Sequence, residues 1–255
     1  MTNPDELSAY MIFSRSDWAA LRASTSLTLS EADLAALRGL NGPITTAEVS
    51  DVYLPLTRLL NLHFSAARNL MQVKAEFLGR PARRSPYIIA LAGSVGVGKS
   101  TFARVLCALL AGWADHPRVE LVTTDGFLHA NAVLEERGLM RRKGFPDSYD
   151  LPRMLRFLAA AKAGEGELEL PVYSHLIGDI VPSERQLIRL PDILVFEGLN
   201  VLLARGNAPV VVSDFFDFSI YLDADEADIQ SWYVERFLKL QPTAFRNPAS
   251  YFHHY

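Results

Sequence analysis

Residues 93–100, GSVGVGKS, match the pattern G-x-x-x-x-G-K-[ST] at every fixed position, and no other stretch restricts the possible folds of this chain so sharply. Gly93, Gly96 and Gly98, with Ser94, Val95 and Val97 between them, let the backbone turn successive N–H groups inward as a nest for an anion. A helix that starts near Lys99 sets the positive end of its dipole under the same anion. The Lys99 ammonium then neutralises the β- and γ-phosphates of a nucleoside triphosphate, and the Ser100 hydroxyl ligates Mg2+. Such a loop works only where a strand runs into a helix. Its flanks supply both, the apolar PYIIALAG (86–93) in front and STFARVLCALLAGW (100–113) behind. A glycine-rich turn without a ligand is the bland alternative, and that context argues against it.

The remainder of the chain is consistent with the fold the loop demands. VELVTTDG (119–126) and PDILVFEG (191–198) are short apolar runs that, like 86–93, end in a Gly-containing turn, and FDFSIYLDA (216–224) is a fourth strand candidate. Runs apolar on both faces and separated by helical stretches, here 100–113 and 147–164, read as buried parallel strands, and a further helix is expected at 228–240. The expected fold class is α/β, a P-loop NTPase fold with a doubly wound, mainly parallel sheet behind a helical N-terminal segment.

That segment, residues 1–80, carries its own signals. SEADLAALRG (30–39) offers Ser30 as N-cap, Asp33 in the first turn and Gly39 as a stop, and TTAE (45–48) is a capping box from Thr45 to Glu48. Leu56, Leu59, Leu60, Phe64, Ala67, Met71 and Phe77 follow at three- and four-residue spacing as one apolar stripe, with Pro55 expected to kink or split the helix near its start. Such a stripe packs against its own domain or enters a subunit interface. Gly79, Pro81, Arg83 and Arg84 read as a connector to a kinase-like core over 81–255.

Bulk properties mainly exclude. A net charge of −4 over 255 residues gives no reason to expect nucleic acid or a membrane surface as partner. Cys107 is the only cysteine, so no internal disulfide forms. Asp5 and Glu6 stand where a signal peptide would be basic, and no uncharged apolar run reaches the roughly 18 residues of a membrane span. A cytoplasmic protein is expected.

Several residues outside the loop could carry chemistry. No N-K-x-D guanine signature follows a later strand. Asp125, in TTDGFLH, stands just past a strand's carboxyl end, on the rim that faces ligands in an open parallel sheet. It suits a general base that takes a proton from an attacking hydroxyl, or it caps an Asp-Gly turn. Glu197 ends PDILVFEG on the same rim, placed to hold a magnesium-bound water or a basic group, or to anchor the turn. Arg141, Arg142 and Lys143 form a basic run that contacts an anionic substrate or is simply solvated. Tyr173 and His175, in PVYSHL, have no helical period and are cleft candidates, although a lone His is more often structural. Tyr233 and Arg236 share a helix face, with Arg236 placed to stabilise charge on a transferring phosphoryl group.

Taken together, YLPLTRLLN, GSVGVGKST, RVELVTTDGFLH, ERGLMRRKGFPDSYD, PVYSHL, PDILVFEGLNVL, DFFDFSIYLDA and WYVERFL resemble the bacterial type I pantothenate kinases, from about Trp18 to the last residue. The phosphate loop and Asp-Gly strand are shared with uridine kinases and phosphoribulokinases; the other segments are more particular. The resemblance implies ATP-dependent phosphorylation of pantothenate to 4′-phosphopantothenate, the first step of coenzyme A synthesis, by a homodimer inhibited by coenzyme A in competition with ATP. It implies that Lys99, Ser100 and Thr101 hold the triphosphate and magnesium, that Asp125 is the base, and that Tyr173, His175, Tyr233 and Arg236 line the substrate and phosphate cleft. It places Arg104, Lys99 and His175 where coenzyme A binds. Two departures stand out. Gly178 occupies a position where the family carries an aromatic residue, which is expected to enlarge the substrate pocket or loosen its grip. Relatives also continue beyond SYFHHY through further helices and a strand that supply an asparagine to the pantothenate site and a wall for adenine, and the chain here is expected to lack them. A kinase for another small alcohol such as uridine, and a catalytically silent nucleotide-binding relative, are the alternatives.

Overall fold

The computed structural model describes residues 10–37, 44–115, 117–202 and 209–254. The N-terminal helices are α1 (Arg15–Ala20), α2 (Glu31–Leu37), α3 (Thr46–Glu48) and α4 (Leu54–Leu78), with a π-helical turn over Val49–Tyr53 between the last two. The core follows as β1 (Tyr87–Gly93), α5 (Lys99–Ala111), β2 (Val119–Thr123), α6 (Asn131–Glu136), α7 (Leu151–Ala163), β3 (Glu167–Ser174), β4 (Asp179–Arg189), β5 (Ile193–Glu197), β6 (Phe218–Leu222) and α8 (Glu226–Leu240).

Four strands form one parallel sheet in the order β2-β5-β1-β6. β1 and β5 are buried throughout, as their unbroken apolar runs require. The pleat sends alternate side chains to opposite faces. Tyr87, Ile89 and Leu91 join Leu60, Phe64, Phe102 and Leu106 from α4 and α5, whereas Ile88 and Ala90 join Phe127, Phe157 and Leu158 on the α7 side. Helices on both faces make the sheet doubly wound, as expected. Among the described residues no helix is long and apolar enough to cross a membrane.

At one end of β1 the Asp217 carboxylate accepts from the Ile88 backbone N–H at 2.7 Å and is paired with Lys162 of α7. That clamp ties β6, β1 and α7 at the end away from the phosphate loop. The opposite rim is thereby free to carry chemistry.

The N-terminal signals are realised unevenly. Ser30 and Asp33 exchange hydrogen bonds, Asp33 N–H to Ser30 Oγ at 3.2 Å and Ser30 N–H to Asp33 Oδ2 at 2.9 Å, at the head of α2. The expected stop at Gly39 lies outside the described residues. Thr45 caps α3 by accepting from the Glu48 N–H at 3.1 Å. The helical path then widens into the π turn, and Pro55 falls in the first turn of α4, where a missing N–H costs little. The apolar stripe is split. Leu56, Leu60 and Phe64 are buried, but Phe77 is 88% exposed and shares the opposite face with Leu62, Leu70 and Val73. The stripe read from spacing therefore merges residues of two faces.

β3 and β4 form an antiparallel hairpin with a bulge at Pro171/Val172 that no apolar run announces. Its strands carry Glu, Arg and Ser on the exposed side, Gln186 donates to the Leu121 carbonyl at 3.0 Å, and only Leu170, Pro171 and Ile188 are buried.

Leu60, fully buried between α4 and the sheet, provides a test of this packing. Leu60→Ala is expected to cost roughly 2–5 kcal/mol in urea unfolding, and Phe77→Ala less than about 0.5 kcal/mol. Equal losses from the two would contradict the assignment of faces.

Candidate active site

The phosphate loop connects β1 to α5. Gly96 and Gly98 take φ of +83° and +96°, a region that side chains rarely enter. The Gly98 carbonyl accepts from the N–H groups of Thr101 and Phe102 at 3.0 and 2.9 Å, which starts α5 at Lys99. Lys99 is only 8% exposed, and its Nζ donates to the Ser94 carbonyl at 2.7 Å. Burial lowers its proton affinity, while the carboxylates of Glu197 and Asp125 pull it back up. The ammonium is thus folded over its own loop, within the field of two carboxylates.

Parallel registration brings those carboxylates together. Glu197 ends β5 beside Thr123, the last residue of β2, and Asp125 follows in a 3-10 turn over Thr124–Phe127. The Glu197 carboxyl accepts from Ser100 Oγ at 3.4 Å, and burial pushes its pKa up to about 7 against the pull of Lys99. Asp125 is also raised by burial, with His175, Lys99, Lys143 and Arg236 drawing it down. Its Oδ2 lies 3.6 Å from His175 Nε2.

Two cavities meet at the loop. The first, about 410 Å³, lies between Ile44, Val52 and Tyr53 of the N-terminal segment, Gly96, Val97, Gly98 and Thr101 of the loop and α5, and Trp232 and Arg236 of α8. The second, about 490 Å³, is lined by Val95, Lys143, Tyr173, His175, Tyr233, Arg236, Tyr251 and Phe252, among others. Arg236 lines both. The loop and that one arginine therefore form the partition between them.

Of the residues expected to act, Lys99, Asp125 and Glu197 share one electrostatic cluster, which Ser100 joins through its bond to Glu197 and Arg236 through its charge; Arg236 is the one of these five in the cavity walls, and Tyr173, His175 and Tyr233 line the second cavity. Arg104 reaches the same region from α5, and its charge acts on Glu197. Its Nε donates to the Leu37 carbonyl at 2.9 Å and its Nη2 to Thr101 Oγ1 at 3.3 Å, a tie between α2 and α5. Gly178 does not open the second cavity as the missing side chain suggests. It turns the β3–β4 hairpin at φ +61°, and a Cβ there would meet Tyr251 Cγ at 2.8 Å, so the Tyr251 ring already fills the space.

Lys143 is the residue that reading by composition underrated. Arg141 and Arg142 are exposed, and Arg142 pairs with Asp147 at 2.9 Å, as ordinary surface charges do. Lys143 instead turns inward, donating to Asn131 Oδ1 at 2.6 Å and to the Gly178 carbonyl, with the Tyr173 ring 5.2 Å away. Its neighbours Gly144, Phe145 and Pro146, poor in exposed charge, were the available signal. Tyr149 and the cavity walls Tyr251 and Phe252 had none, because their roles depend on contacts distant in sequence.

Among the described residues no group of three or more His, Cys, Asp or Glu could hold a metal ion. The oxygen pair of Ser100 and Glu197, 3.4 Å apart, nevertheless suits Mg2+, which takes few protein ligands and completes its shell with phosphate and water.

Residues 88–236 match the phosphoribulokinase/uridine kinase family. The chain is 58% identical to a pantothenate kinase of Sorangium cellulosum over 252 residues, covering 98% of this chain and 82% of that protein. It is 59% identical to a pantothenate kinase of Myxococcus xanthus over 243 residues, covering 93% and 77%. Among solved structures, D-glycerate 3-kinase from Cryptococcus neoformans shares the fold, with a TM-score of 0.54 at 11% identity over 78% of this chain and 84% of that one.

Glu197 makes the site's electrostatics testable. The unfolded chain releases this proton near pH 4.5 and the folded protein holds it to about 7. Its stabilising contribution is therefore complete below pH 4.5 and is lost as pH rises through 7, on the order of 3 kcal/mol in all. Glu197→Gln is expected to remove that fall from urea unfolding measured between pH 5 and 8. An identical pH dependence in both proteins would contradict the buried-carboxyl account.

Proposed function

This chain belongs to the pantothenate kinases, within the phosphoribulokinase/uridine kinase family, and on that premise we propose that it transfers the γ-phosphoryl group of ATP to the primary hydroxyl of pantothenate. The product is 4′-phosphopantothenate, the entry compound of coenzyme A synthesis. The observation that carries this reading is the shared partition. A triphosphate on the loop and an alcohol in the second cavity face each other across Arg236.

Each residue then has a task. The N–H groups of 93–98 cradle the phosphates, and Lys99, released from the Ser94 carbonyl, neutralises the β- and γ-oxygens. Thr101, at the wall of the first cavity, joins Ser100 in holding the nucleotide end. Mg2+, held through Ser100 and Glu197, would supply charge neutralisation at the phosphates. Asp125 accepts the hydroxyl proton as the new P–O bond forms. Burial raises its affinity for that proton, while His175, Lys99, Lys143 and Arg236 favour the ionised form it needs at neutral pH. Tyr173 and Tyr233 hold the alcohol, and Arg236 draws charge on the transferring group. Residues 1–80 act as a helical segment that closes the nucleotide cavity, and 81–255 as the catalytic core.

The same reading extends to regulation and assembly. Coenzyme A is assigned as a feedback inhibitor at Lys99, His175 and Arg104, and sharing Lys99 makes it compete with ATP. A cytoplasmic homodimer is assigned.

Asp125→Asn is expected to lower kcat by about 10²–10⁴ while KM for ATP stays within about threefold, since only proton acceptance is removed. A kcat within a few-fold of the parent would show that Asp125 is not the base. His175→Ala is expected to raise the coenzyme A concentration for half-inhibition by a larger factor than it lowers kcat. An unaltered inhibition curve would remove His175 from the inhibitor site.

A further inference from the structure

One wall of the first cavity is shaped from outside. The helical path leaves the α register over Val49–Tyr53, where the Leu54 N–H donates to the Val49 carbonyl, five residues back. Such π turns are rare and recur at functional sites. Here the turn changes what faces the cavity. Glu48 and Tyr53 are five residues apart and would diverge by about 140° on an α-helix, yet both line the cavity, together with Val52. The buried Tyr53 ring lies 4.6 Å from the ring of Phe102 on α5, which lines the same cavity. Pro55 has no N–H to return to the turn. A donor comes instead from α1, where the Trp18 indole N–H donates to the Val52 carbonyl at 3.0 Å. Two further contacts tie α1 to the turn and to α4, Arg15 to Asp51 at 3.2 Å and Arg58 to the Leu21 carbonyl at 2.7 Å. Trp18 itself lines neither cavity.

We propose that Trp18 is a positioning residue for nucleotide binding, its indole holding the π turn in the shape that brings Val52 and Tyr53 to the cavity wall. The proposal rests on the assignment of ATP to the first cavity and adds what shapes the side that receives the nucleoside. The triphosphate belongs to the loop, whose Gly96, Val97 and Gly98 line the same cavity. The wall of Val52, Tyr53 and Phe102 is apolar and aromatic, which suits the face of a base rather than a phosphate. An ordinary α-helical turn is the nearest competing conformation. The Trp18 bond is part-buried, so breaking it leaves the Val52 carbonyl in need of a helical donor and lets the turn tighten toward that register. Tightening rotates Tyr53 away from Glu48 and off the wall. The phosphate loop, held by β1 and α5, is untouched by this change.

The test compares ATP with inorganic tripolyphosphate, which occupies the loop and has no nucleoside. Binding of each in the presence of Mg2+ is measured by titration calorimetry on the full chain, with thermal melting and steady-state kinetics on pantothenate. Trp18→Phe keeps an aromatic ring and removes the donor. It is expected to raise Kd and KM for ATP by about three- to tenfold, the equivalent of one hydrogen bond. Its kcat and its Kd for tripolyphosphate are expected to stay within about twofold. Leu60→Ala, which opens the core and lines neither cavity, is expected to melt lower and to bind ATP within about twofold of the parent. The proposal is overturned if Trp18→Phe folds and binds ATP as tightly as the parent, or if it weakens tripolyphosphate as much as ATP. It is also overturned if Leu60→Ala weakens ATP as much as Trp18→Phe does, the mark of a merely structural effect. Should Trp18→Phe fail to fold, Pro55→Ala decides. That change returns an N–H to the turn, favours the α register and is expected to weaken ATP binding by a similar factor; parental affinity there overturns the proposal. Trp232→Ala, in the wall of the same cavity, is run alongside. Parental ATP affinity in Trp232→Ala defeats the assignment of the nucleotide to that cavity, and the proposal with it. Weak binding in Trp232→Ala beside a normal Trp18→Phe defeats only the positioning role.

Discussion

A buried ammonium organises this site. Removing a lysine from water is costly unless its charge is met; Lys99 donates to the Ser94 carbonyl, and the charges of Glu197 and Asp125 favour its ammonium form. Both carboxylates are desolvated, and the Asp125 charge adds to the effect on Glu197, so each holds its proton more tightly than an exposed acid. Such a cluster is poised rather than satisfied. On the proposed function, a triphosphate entering the loop would take the ammonium for itself and leave the carboxylates to a magnesium ion and to the proton of an alcohol.

The cluster exists because the sheet is parallel and ordered β2-β5-β1-β6. Parallel strands end on the same rim, and β1, β5 and β2 deliver the loop, Glu197 and Asp125 there in turn. α8 then crosses the rim without burying a single residue, and contributes Arg236 to both cavities. The hairpin β3–β4 forms one wall of the second cavity, its turn fixed by Lys143 and Asn131 on the Gly178 carbonyl. Fold and chemistry are linked through this one edge.

Much of this was legible in the sequence because the signals are local. The loop's glycines, the apolar strands at 87–93 and 193–197 and the acidic residues at two strand ends each announce themselves within ten residues. What was not legible depends on distant contacts. The hairpin has one wet face and little apolar density, so its period was weak. The two apolar faces of α4 overlap in a three- and four-residue count, which merged Phe77 with the core. Gly178 read as lost volume, yet Tyr251, 73 positions later in the numbering, occupies that volume.

The most direct test of the account is product analysis by mass spectrometry after incubating the purified chain with Mg-ATP, pantothenate and uridine together. The account predicts phosphopantothenate as the phosphorylated acceptor and uridine recovered unchanged. Phosphorylated uridine, or no phosphorylated pantothenate from protein shown separately to bind ATP, would contradict it.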